Sequence, residues 1–164
     1  MISRTYIQAN LRTLDHSYRK TSNSKHAYYF SKLAILELCG WIEMSMDDVI
    51  QRHCDRKISD SVNDKYVERE VIRKTYGFDY DKHFRQMLIK LTGIVTVEKI
   101  EKSIDVTVHA LFKSQLTSLN TVRNSLAHTY TKQVGVIDAP SVTKARLQPI
   151  YDGLKAYDDK LRAL

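Results

Sequence analysis

Arg123-Asn124-Ser125-Leu126-Ala127-His128 brings together three side-chain types that can act on a phosphate ester. Arg123 is permanently charged, and its planar fork of N–H donors matches phosphate oxygens, so it suits negative charge growing at phosphorus in a transition state. His128, with a reference pKa of about 6.5, changes protonation near neutral pH and can take or give a proton. Asn124 stands four residues before His128, on the same side of a helix, where its amide can orient the ring or a phosphate. Arg123 stands five before His128, about 140° away around the axis and about 7.5 Å along it. One chain therefore cannot clamp a small group between the two. Two copies facing each other across a two-fold axis place two arginines and two histidines in one cleft, so the spacing favours a homodimeric site.

The element that must carry these residues is a long helix from about Asp105 to Tyr130. Val108, Leu111, Phe112, Leu116, Leu119, Val122, Leu126 and Tyr130 recur at three- and four-residue steps and form a broad apolar stripe, the predicted core face. The other face gathers Lys113, Ser114, Thr117, Asn120, Thr121, Asn124, Ser125 and His128, mostly small and uncharged, as suits close approach of something. Between Val106 and Ile137 the basic residues are Lys113, Arg123 and Lys132, and there is no Asp or Glu. A phosphate meets no carboxylate repulsion along that stretch. Lys113, Lys132, Thr117 and Thr121 are therefore candidate substrate contacts.

Arg123 to His128 resembles the R-x4-6-H motif of the HEPN superfamily, with a polar residue just after the arginine. An apolar helix containing a glutamate, a middle segment, a long helix ending in RNSLAH and a closing helix follow the order of that family's all-α bundle over most of the chain. Tyr130 fits the longer R-x4-H-x-Y form of HEPN toxins from toxin–antitoxin pairs. The resemblance implies an antiparallel bundle of about five helices, a homodimer, and metal-independent endoribonuclease activity without a cofactor. His128 would take the proton from a ribose 2′-hydroxyl, Arg123 would stabilise the phosphate, and Asn124 would orient either. Glu43 or Glu37 would support the site, with Glu43 the better match, and Tyr130 would contact phosphate or base. A toxin or anti-phage effector implies an antitoxin, and the R-x4-H-x-Y form points to one with nucleotidyltransferase activity towards Tyr130. The alternatives are an inactive HEPN domain that binds RNA or a partner protein, and a plain helical interaction module.

Composition agrees with a helical fold. In 164 residues with 43% hydrophobic content there are only five Gly and two Pro, which argues against turn-rich β folds and for long helices in one domain, residues 1–164. The formal charge of +7 attracts polyanions, nucleic acid among them. No run approaches the roughly 18 to 20 apolar residues of a membrane span, and a cytoplasmic protein is expected. Cys39 and Cys54 are too few for a disulfide scaffold, and His53-Cys54-Asp55 points its three side chains apart, so neither suggests a metal.

The remaining pattern predicts helices over Thr5 to Arg19, about Lys25 to Arg52, Tyr80 to Leu91 and about Ser141 to Leu164, with Ser141 as cap. The Lys25 to Arg52 helix is apolar on nearly all sides, as a helix buried among several neighbours should be. On it, Glu43 lies among Leu36, Cys39, Met46 and Ile50 and needs a partner such as an arginine or a backbone donor. Residues 53 to 79 read as a loop with a short helix near Lys65 to Lys74. Ile94 to Ile104 reads as a strand or a helical turn. The pairs Asp47-Asp48 and Asp158-Asp159 read as solvated helix faces.

Overall fold

The computed structural model describes residues 2–127 and 135–164. His128, Tyr130 and Lys132 lie outside the described residues. Among the described residues the chain is all-helical, with α1 (Thr5–Lys20), α2 (Ser24–Lys57), α3 (Ser61–Tyr66), α4 (Arg85–Thr92), α5 (Ile94–Ser103), α6 (Val106–Ala127) and α7 (Pro140–Arg162). Two π-helical stretches complete them: Val67–Ile72 continues α3, and Tyr80–Phe84 leads into α4. No described helix is long and apolar enough to cross a membrane.

Asn23 starts α2 by accepting hydrogen bonds from the N–H groups of Lys25 and His26, at 2.9 and 3.1 Å. α6 begins in the same way on Asp105, whose side chain accepts from Thr107 N–H and Val108 N–H. Ser141 is not the cap of α7. That helix opens with Pro140 in its first turn after Ala139, and a proline's fixed φ and missing N–H suit that position. The stretch expected as a loop over residues 53 to 79 is mostly helix. α2 runs on to Lys57, Asp60 caps α3, and Val67 and Val71, four apart, supply the buried side. Ile94–Ser103 is a helix rather than a strand, with Val97 and Ile100 turned inward and Gly93, at φ +82°, separating it from α4.

Four long helices form the main core. α1 runs antiparallel to α2, because Trp41 Nε1–H donates to the carbonyl of Ser3 near one end and Asn10 Nδ2 reaches Glu37 further along. α7 runs parallel to α2, with Arg52 against Asp158 and His53 Nδ1 against the carbonyl of Leu161 at its far end. α6 runs antiparallel to α7 through Ser118 with Arg146 and His109 with Tyr157. At the centre of that last seam Gly153 lets the helices touch: a Cβ there would lie 2.3 Å from Phe112 Cγ.

Around Phe112 the rings of Tyr80, Phe84, His109 and Tyr157 pack with centroids 5.2 to 6.4 Å apart. Tyr80 O–H donates to Glu101 at 2.5 Å, and Arg85 Nε–H donates to the same oxygen at 2.7 Å. The Tyr157 hydroxyl bridges Tyr80 and His109 Nδ1 at 2.6 and 2.9 Å, which ties the π-helical stretch and α5 to the α6–α7 seam. Burial pushes the titration of both tyrosine hydroxyls upward.

Three expectations about burial change. Leu111 is 48% exposed, because the elements packed on α6 cover a narrower arc than the apolar stripe and Leu111 stands at its edge. α2 is the central helix but is not buried all round, since Leu33 and Met44 are exposed. Asp158 is buried rather than solvated, between Arg162 at 2.8 Å and Arg52 at 3.6 Å.

His53 and His109 both have their pKa values lowered below the ordinary 6.5, first by burial; for His109 the nearby Lys113 adds to this. Well above pH 6.5 the rings are neutral folded or unfolded. Below it the unfolded chain takes up protons that these two folded rings refuse, so each withdraws stability as pH falls from there. In a pH titration followed by NMR, both ring signals should have midpoints below 6.5, and a midpoint at or above that value would contradict the packing described.

Candidate functional site

Arg123 leaves α6 toward α2 at the border between its core and open faces. Its Nη2 lies 3.6 Å from Glu43 Oε1, with both side chains about one-third exposed. Its Nη1–H donates to Asn124 Oδ1 at 3.2 Å, so the arginine and the polar residue after it form one unit at the edge of an open face. Glu43 Oε1 is buried and accepts no hydrogen bond among the described residues. A half-open pair of this length contributes about 0 to 1 kcal/mol to stability. Its effect is to hold the guanidinium in place, with donors left for a second anion.

Of the two glutamates on α2, Glu43 meets Arg123. Glu37 accepts from Asn10 on α1 and lines a separate hollow with Tyr6, Trp41 and Met44. Six residues apart on a helix, the two carboxylates point about 120° away from each other.

The structure does not bring Lys113 to Arg123. Ten residues, or about 15 Å of helix, separate them. Lys113 Nζ lies 3.1 Å from Asp81 and 4.6 Å over the Tyr80 ring, so its charge serves the aromatic cluster. Thr117 and Thr121 are exposed, with hydroxyls donating back to the carbonyls of Lys113 and Thr117 at 3.0 and 3.1 Å. They belong to an open face with Ala110, Leu111, Ser114, Ser118 and Asn124 that carries no charged residue.

Beside Arg123 lies a cavity of about 560 Å³, lined by Glu43 and Asp47 of α2, Arg123 of α6, and Ile72, Arg73, Thr75, Tyr76 and Gly77. The last five belong to the end of the π-helical stretch and the strap after it. Thr75 fixes that strap: its hydroxyl donates to the carbonyl of Val71 at 2.7 Å and its N–H to that of Ile72 at 2.9 Å. Gly77 turns it at φ +121°, a left-handed conformation where a Cβ would also strike the His83 ring at 2.7 Å. His83 Nδ1 accepts from Asp79 N–H at 2.9 Å and closes the turn. Arg73 pairs with Glu68, and Tyr76 is 84% exposed at the rim.

Sequence reasoning missed Asp47, Arg73 and Tyr76. Asp47 and Asp48 are neighbours in sequence but about 100° apart around the helix, so one faces solvent and the other the cavity. Burial, then Glu43, then Asp48 push the Asp47 carboxyl from the usual range up to about 6. A carboxyl raised in the folded state withdraws stability above pH 6 and nothing below its ordinary pKa. Asp47→Asn is therefore expected to stabilise the fold by about 1 to 2 kcal/mol above pH 6, after allowance for its half-open position, and the gain should shrink as pH falls toward 4. Urea denaturation of both proteins across that range checks it, and an unchanged midpoint at neutral pH would contradict it.

No family model, no curated protein and no solved structure matches this chain. What the site can do is read from its own geometry: a positioned guanidinium, an amide beside it, two carboxyls and an exposed aromatic ring around one cavity, next to an uncharged helix face.

Proposed function

We propose that the chain is a metal-independent endoribonuclease of the HEPN kind, working as a homodimer, as a toxin or anti-phage effector. The observation that carries the reading is Arg123, held by Glu43 and bonded to Asn124 at the edge of the uncharged α6 face. An arginine needed only for stability would sit better in a closed, short ion pair. The face with Ala110, Ser114, Thr117 and Thr121 lets a second copy approach with no charge to desolvate.

In this reading His128 removes the proton from a ribose 2′-hydroxyl as that oxygen attacks phosphorus. The bond from phosphorus to the 5′-oxygen breaks, and the partner's His128 supplies the proton that the leaving oxygen takes. The products are a 2′,3′-cyclic phosphate and a free 5′-hydroxyl. Arg123 stabilises the charge on the phosphate oxygens during transfer. A toxin of this type requires an antitoxin, and a nucleotidyltransferase acting on Tyr130 is the proposed one; an added adenylate mass on Tyr130 after co-expression would support it, and an unmodified Tyr130 in a neutralised complex would end it.

Sedimentation of the purified protein, together with chemical mapping of its RNA products, tests the reading. A dimer that leaves cyclic-phosphate ends is expected. A monomer that retains RNA in a salt-sensitive manner without cutting it would replace the enzyme by a nucleic-acid-binding domain.

A further inference from the structure

The cavity beside Arg123 is larger than one ion pair needs, and its groups are unequally satisfied. Arg123 is engaged by Glu43 and Arg73 by Glu68, whereas the Asp47 carboxyl forms no hydrogen bond or ion pair with any described residue. The groups around it are Glu43 and Asp48 of its own helix, Arg123 of α6, and Arg73 and Tyr76 of the strap. A half-buried carboxylate beside two like charges is costly to keep, and a ligand that donates hydrogen bonds would relieve it. A divalent cation suits it less, because it would meet the Arg123 guanidinium in the same cavity.

We propose that this cavity is a guanine-binding subsite, in which Asp47 accepts from the N1–H and N2–H of the base and Tyr76 stacks on its face. The two oxygens of one carboxylate need two adjacent donors. Guanine alone among the four RNA bases presents such a pair: adenine and cytosine place an acceptor beside their amino group, and uracil flanks its single N–H with carbonyls. Tyr76 at the rim offers the flat surface on which an unstacked base of single-stranded RNA rests, and Ile72 gives the cavity an apolar wall. Arg123 lines the same cavity, so the base subsite and the proposed phosphate-binding group share one opening. The subsite deepens the ribonuclease reading and rests on it only for the identity of the polymer.

Calorimetric titration of the intact protein with the 5′-monophosphates of guanosine, adenosine, cytidine and uridine tests the subsite separately from any cleavage. The guanosine nucleotide should bind roughly five- to a hundredfold more tightly than the other three, as a bidentate base contact allows. Asp47→Asn, which replaces one acceptor oxygen by a donor, should remove that preference, and Tyr76→Ala should weaken all four nucleotides to a similar degree. Binding of the guanosine nucleotide should also weaken below pH 6, where Asp47 takes up a proton. Equal affinities, no measurable binding, or a preference unchanged by Asp47→Asn would each overturn the proposal. Guanine-selective binding by a protein that cuts no RNA would sink the ribonuclease reading and leave the subsite, whereas cleavage by a protein indifferent to the base would do the reverse.

Discussion

In the proposed ribonuclease, Arg123→Ala is expected to slow RNA cleavage by about a hundred- to a thousandfold, the usual cost of removing a donor aimed at charge that develops in the transition state. Folding should survive, because the pair with Glu43 is long and half-open and contributes little to stability. Glu43→Gln should reduce cleavage less, since in the proposed ribonuclease Glu43 positions Arg123 and a glutamine still offers an oxygen acceptor. Arg123→Lys should not rescue the rate, because an ammonium lacks the planar fork. Single-turnover cleavage rates, with circular dichroism as a control for folding, distinguish these outcomes. A rate close to wild type for Arg123→Ala would remove Arg123 from the chemistry.

The largest effect on stability should come from the seam between α6 and α7. Phe112 is fully buried, packed on Tyr80, Phe84 and Tyr157, and faces Gly153 with no space between. Phe112→Ala should cost about 3 to 5 kcal/mol, the range for truncating a core aromatic residue. That is a large share of the roughly 5 to 15 kcal/mol that holds a domain together. Gly153→Ala should cost about 1 to 3 kcal/mol by forcing the helices apart. The double variant should lose less than the sum of the two, because the new methyl group enters the space that the ring vacates. Denaturant titration of the three proteins measures this, and strictly additive losses would contradict the direct contact between Phe112 and Gly153.

The all-helical class was legible from scarce Gly and Pro, and the core face of α6 from Phe112, Leu116, Leu119 and Leu126 at helical spacing. The placement of Glu43 was legible in part: a carboxylate among apolar neighbours called for an arginine or a backbone donor, and of the two it is Arg123 that stands there. Periodicity does not show how wide an arc the neighbouring elements will cover, which is why Leu111, Leu33 and Met44 end up exposed. Paired aspartates look alike in sequence, yet a segment remote in the chain changes the surroundings of one member of each: the strap around Tyr76 walls the cavity beside Asp47, and Arg52 of α2 pairs with Asp158. The strap itself rests on Thr75, Gly77 and His83, whose contacts are local and polar and leave no hydrophobic repeat to read.

His128 and Arg123 are proposed to cut RNA without a metal. The most direct test is cleavage of a labelled RNA pool in excess EDTA by wild-type protein beside His128→Ala. Cleavage by wild type alone, with both proteins folded and dimeric, is the predicted result. Equal cleavage by both, or cleavage that EDTA abolishes, would contradict it.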